Sequence, residues 1–85
     1  MTQQTSDIAS LVRVIVEPLV EDKEAVSVSS MEAEDGALIV EIRVTPEDVG
    51  KVIGRQGRVI KSIRVLARAA YGSDGRDVEV ELIED

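Results

Sequence analysis

The chain contains no Cys, no His, no Trp and no Phe, and its one aromatic residue is Tyr71. Each absence excludes something. Without cysteine there are no disulfides and no thiolate metal sites. Without histidine the commonest general base and metal ligand is gone. Without a set of aromatics there is no platform on which nucleobases stack, an interaction of about 1–3 kcal/mol per base. No apolar run approaches the ~18 residues of a membrane span. The first ten residues are polar and lack the basic-then-apolar pattern of a secretory signal. A soluble, cytoplasmic domain with no membrane partner is expected. Positive charge is also short: 10 Lys+Arg stand against 17 Asp+Glu, a net charge of −7. Taken as a total, that balance speaks against nucleic acid.

What remains is aliphatic. The 85 residues include 14 Val, 8 Ile and 5 Leu. This is too much apolar surface for a disordered chain, and the length fits one domain. The β-branched bias suits strands. Residues 1–85 are read as a single domain, with 1–6 expected to be flexible.

Ile8, Leu11, Val12, Ile15 and Leu19 recur at helical spacing. They predict a first helix over residues 7–17, capped by Ser6 or Asp7 and ended by Pro18. Val26, Val28 and Ser30 alternate with Ser27, Ser29 and Met31, a half-buried strand. Glu34, Asp35 and Gly36 form a turn into a second strand over 37–44. There Leu38, Val40, Ile42 and Val44 share one face. Thr45 as cap, Pro46 and the acids Glu47 and Asp48 start a short helix. A third helix runs over 58–71 with Gly72 as its stop. A turn at 73–75 leads to a last strand in which Val78, Val80 and Leu82 alternate with acids. The order is α-β-β-α-α-β. A strand, helical crossover and return strand favour parallel pairing. The expected fold is α+β, a three-stranded mixed sheet with helices on one face.

The charge is not evenly spread. Residues 51–72 hold six cations, Lys51, Arg55, Arg58, Lys61, Arg64 and Arg68, and no acid. The rest holds 4 basic and 17 acidic residues, a balance of −13 against +6. At about 100° per residue, Arg58, Lys61, Arg64 and Arg68 fall on one side of the third helix, alongside Val65 and Ala69. Val59, Ile60, Ile63, Leu66, Ala67 and Ala70 fall on the other, which should meet the sheet. A basic stripe alone is an ordinary solvated face. The lack of interleaved acids weakens that reading, because surfaces built for solubility mix signs.

Gly54 and Gly57 bracket Arg55 and Gln56 at the start of this basic helix. Glycine lets a backbone approach a phosphate closely, and the first amides of a helix carry positive partial charge. The alternative is a tight corner that uses glycine only for chain reversal. The Walker and dinucleotide patterns fail here: no Gly-Lys-Ser/Thr follows, and Gly50, Gly54 and Gly57 have the wrong spacing.

The run Val52-Ile53-Gly54-Arg55-Gln56-Gly57 between two helices resembles the signature of the K-homology (KH) RNA-binding domain. The element order resembles its type II version. The segments PEDVGKVIGRQGRVIKSIR (46–64) and IVEPLV (15–20) are similar to the small bacterial stand-alone KH proteins of the KhpA type. The resemblance covers almost the whole chain. It implies single-stranded RNA binding, with the G-x-x-G loop clamping the backbone of about four nucleotides. Gly54, Arg55, Gln56 and Gly57 would form the clamp. Ile53 would line the base groove with apolar help from the second strand. Lys51, Arg58 and Lys61 would contact or flank phosphates. It also implies a role as RNA chaperone or post-transcriptional regulator, as a homodimer or with a larger Jag-type KH protein.

A protein-interaction or dimerisation module of KH shape is the alternative, with Val65 and Ala69 as interface residues. An enzyme is the weakest reading. Glu47 and Asp48 are accounted for by their helix start, and Ser62 has no His or Cys to activate it. The carboxylates Glu79, Glu81, Glu84 and Asp85 read as solvated strand edge and tail rather than a metal site. No cofactor, metal or small-molecule substrate is expected.

Overall fold

The structure, a computed structural model, describes residues 2–71 and 77–84. The expected stop at Gly72 and turn at 73–75 lie outside the described residues. The elements are α1 (Thr2–Val16), β1 (Ser27–Glu32), β2 (Leu38–Val44), α2 (Val49–Ile53), α3 (Arg58–Tyr71) and β3 (Val78–Glu84). Short 3-10 turns occupy Glu17–Leu19, Lys23–Ala25, Pro46–Asp48 and Arg55–Gly57. The expected order is therefore observed.

Helix α1 starts at Thr2 rather than residue 7. Nothing in Thr2 to Ser6 breaks a helix, as Gly or Pro would, and Ser6 and Asp7 lie within it rather than capping it. It yields to a 3-10 turn around Pro18, whose ring cannot continue an α-helix. Its buried stripe is Ile8, Val12 and Val16, at i, i+4 and i+8.

Strands β1 and β2 pair antiparallel, with Ser29 opposite Glu41 and Met31 opposite Ile39. Their connection is the expected turn. Gly36 has φ 90° and donates to Ala33 O at 3.0 Å, and Asp35 Oδ1 accepts from Ala37 N at 3.0 Å. β2 is central and pairs parallel with β3, Leu38 beside Val78 and Val44 beside Glu84. One face of β2 is wholly buried: Leu38, Val40, Ile42 and Val44. With Val52, Ile63, Ala67, Val78 and the α1 stripe they form the core. Burial of aliphatic side chains is worth about 1.5–3 kcal/mol each, so this cluster carries the stability of a chain without disulfides. Tyr71 closes it. Its ring is 2% exposed and its hydroxyl donates to Gly36 O at 3.2 Å, tying the end of α3 to the hairpin turn. The one aromatic is structural.

Candidate nucleic-acid interface

The site begins with the chain reversal between α2 and α3. Gly54 sits at φ 76°, ψ 173°, a region closed to side-chain-bearing residues. A Cβ there would also overlap the Val59 side chain. Gly57 has φ 73° with open space where its Cβ would stand. Gln56 between them is left-handed, at φ 57° and ψ 24°, a conformation costing about 1 kcal/mol or more for such a residue. The two glycines thus serve different ends. Gly54 lets the loop close against α3, and Gly57 lets the chain turn back into it.

The reversal consumes some amides and spares others. Gly54 N donates to Gly50 O at 2.9 Å, and Gly57 N to Gly54 O at 3.1 Å. Arg58 N donates to Arg55 O. The amides of Arg55 and Gln56, at the tip, have no acceptor among the described residues. Both side chains are exposed. Arg58 Nη2 donates to Gln56 Oε1 at 3.2 Å, holding that guanidinium over the loop. Among the described residues, Arg55, Arg58, Lys61, Arg64 and Arg68 form no salt bridge. Two unused donors and several cations give this corner the chemistry an anion would need.

Lys51 differs from the other expected contacts. Its ammonium donates to Asp48 Oδ1 at 3.0 Å, although the side chain remains 44% exposed. That bond raises the Lys51 pKa above its ordinary value. Asp48 is itself 1% exposed and also accepts from Glu21 N (3.2 Å), Asp22 N (3.1 Å) and the Thr45 hydroxyl (3.2 Å). The Asp22 amide above all, with Lys51, Glu21 and Thr45, outweighs burial and holds its carboxyl at about 2. Helix-start preference alone therefore does not account for Asp48. Nor does Thr45 cap with its side chain: its hydroxyl donates to Asp48, and its carbonyl accepts from Asp48 N at 2.9 Å. The Thr45-x-x-Asp48 spacing, that of a capping box, was the signal for this pairing.

Ile53 ends α2 beside the loop, 38% exposed. The apolar help expected for it from the second strand is not there: every apolar residue on the helix side of β2 is buried. The strand beside α3's open flank is β3. Between them lies a groove of about 380 Å³, lined by Arg64, Arg68 and the β3 residues Asp77 to Glu81, within the range of small-ligand clefts. β3 is an edge strand, so its outer backbone groups border this groove. Cations line one wall and acids the other.

The face of α3 departs from expectation at two places. Leu66 (49% exposed) and Ala70 are exposed rather than packed on the sheet. The buried stripe is narrower: Ile63, Ala67 and Tyr71, with Val59 and Ile60 half-buried. Leu66 joins Val65 (62% exposed), Lys61 and Ser62 around a shallow, largely apolar depression. Val65 and Ala69 face outward as expected.

An α-β-β-α-α-β chain with a mixed sheet and a G-x-x-G reversal between its last two helices is a type II KH domain. The chain belongs to the KhpA/KhpB KH-domain family, whose model ("KhpA/KhpB, KH domain") matches residues 9–82. It is 44% identical over 73 residues to the RNA-binding protein KhpA of Clostridium perfringens, covering 86% of this chain and 96% of that one. It is 34% identical over 79 residues to the RNA-binding protein KhpA of Aquifex aeolicus, covering 93% and 99%. Among solved structures it is similar to Era in complex with MgGDPNP and nucleotides 1506–1542 of 16S ribosomal RNA. There the TM-score is 0.53 and the identity 19%, with 92% of this chain and 31% of that one covered, a likeness of fold. Among the described residues no helix is long and apolar enough to cross a membrane.

Proposed function

We propose that this protein binds single-stranded RNA, with the loop at Gly54, Arg55, Gln56 and Gly57 holding the sugar-phosphate backbone. The observation that carries the reading is the pair of unused amides at the tip of a loop ringed by uncommitted cations. Backbone donors fixed in place meet a phosphate without further ordering, and Arg55, Arg58 and Lys61 add full charge. Ile53, beside the loop, and the α3–β3 groove would receive the bases. The names of the relatives support the same reading. With no aromatic to stack on, the affinity of one copy is low, in keeping with a cytoplasmic RNA chaperone or post-transcriptional regulator. Replacing Arg55 and Gln56 together by Asp removes one cation and adds two anions on an exposed loop, so the fold survives. RNA crosslinking should be abolished while circular dichroism is unchanged. Crosslinking equal to the parent's would sink the reading.

A second reading rests on the exposed Val65 and Leu66 of α3. We infer a protein contact there, with a second copy or a larger Jag-type KH protein. Linking two weak RNA sites raises avidity without any new RNA contact.

A further inference from the structure

We infer that Asp48 is a positioning residue for the RNA loop: its buried carboxylate fixes the short arm that carries the loop to the connection between α1 and β1. This rests on the reading of the loop as the RNA clamp.

The arm is weakly held by its own structure. Helix α2 has five residues, little more than one turn, and then breaks at Gly54. So short a helix has no stability of its own. Its direction must come from tertiary contacts. Apolar contact is supplied by Val52, fully buried, and Val49, half-buried. Polar contact comes from Asp48, and its four partners divide between two segments. Oδ1 accepts from Glu21 N and Lys51 Nζ, and Oδ2 from Asp22 N and the Thr45 hydroxyl. The backbone donors lie 26 and 27 residues away in sequence. Lys51 and Thr45 stand on the arm and at its root. Each oxygen therefore bridges the arm to the connection.

The far side of that bridge is itself tied down. Lys23 Nζ donates to Glu17 O at 3.0 Å and Val20 O at 2.6 Å, closing the turn that follows α1. Val20 and Val26, on either side, are buried. The clamp thus joins the arm to a connection whose flanking Val20 and Val26 belong to the core. A buried carboxylate with every acceptor site filled is costly to disturb, because losing it strands two backbone donors. Supporting groups of this kind decide whether a binding loop is held within about 0.5 Å of its working geometry. The clamp also ties down the first cation of the basic segment, Lys51, in a fixed place beside the loop.

The test exploits a conflict of sign. Asp48→Asn removes a negative charge near a phosphate site, so electrostatics alone predicts tighter RNA binding. Loss of positioning predicts weaker binding, because an amide cannot accept from both segments on both atoms. Affinity for a fluorescein-labelled, mixed-sequence single-stranded RNA oligonucleotide is measured by anisotropy, at a temperature where circular dichroism shows the variant folded. The expected result is a loss of about fivefold or more, with shifted Gly54 and Gly57 amide resonances in the free protein. Affinity equal to or tighter than the parent's overturns the inference. If Asp48→Asn does not fold, Thr45→Val removes one donor without changing charge. A loss of about twofold or more with shifted loop resonances supports the clamp, and unchanged affinity overturns it. The Arg55/Gln56 double variant is run alongside. A parent that binds no more RNA than that double variant fails the RNA reading itself, not the clamp.

Discussion

Gly54 and Gly57 are spaced as one motif, yet they answer to different physics. At Gly54 both backbone conformation and space forbid a side chain. At Gly57 only the left-handed φ does. Gly54→Ala should therefore cost about 3 kcal/mol or more, from conformational strain and overlap with Val59 together. Gly57→Ala should cost about 1–2 kcal/mol. Urea unfolding of the two variants checks the ranking, and an equal or reversed order would contradict it. The sequence made the glycines visible but not this division, since Val59 reaches Gly54 only once α3 is folded back. Asp48 was hidden for the same reason. Its helix-start position and its partner Thr45 are local, but Glu21 and Asp22 are neighbours only in the fold.

At the scale of elements, helix α3 was legible end to end in its start, while its buried face was read too wide. Periodicity gives an angle and not the number of partners around the helix. With a sheet of three strands beneath it, α3 buries the i, i+4, i+8 stripe of Ile63, Ala67 and Tyr71. Leu66 stands at the margin and stays open. The second strand was likewise legible in its alternation but not in its place. Its central position, covered on the helix side, leaves β3 to border the groove. The open Val65–Leu66 surface makes a specific prediction. Leu66→Glu should shift sedimentation toward monomer without loss of helix content. A parent that is monomeric at tens of micromolar (about Kd 10⁻⁵ M, some 7 kcal/mol of association) would contradict the proposed contact.

At the scale of the molecule, a net charge of −7 coexists with a segment of +6 over residues 51–72. Folding separates the two. The cations gather on the loop and the outer faces of α3, whereas the open face of the sheet carries Glu41 beside Glu81, and Glu79 beside Ile39. Like charges placed side by side on a strand pair are destabilising, as at Glu41 and Glu81, and Arg43 is the one cation of β2 on that face. An acidic surface repels a polyanion, so the distribution of charge, rather than its total, decides where one could approach. The overall balance that spoke against nucleic acid no longer does so once it is read by position.

The most direct test of that account is a low-salt titration of the isotopically labelled protein with a mixed-sequence single-stranded RNA oligonucleotide, followed by amide chemical shifts. The account predicts shifts confined to residues 53–58, with Lys61, Arg64, Arg68 and the β3 edge, and silence at Ser29 and Glu41 on the open sheet face. Shifts spread evenly over the molecule, or centred on that acidic face, would contradict it.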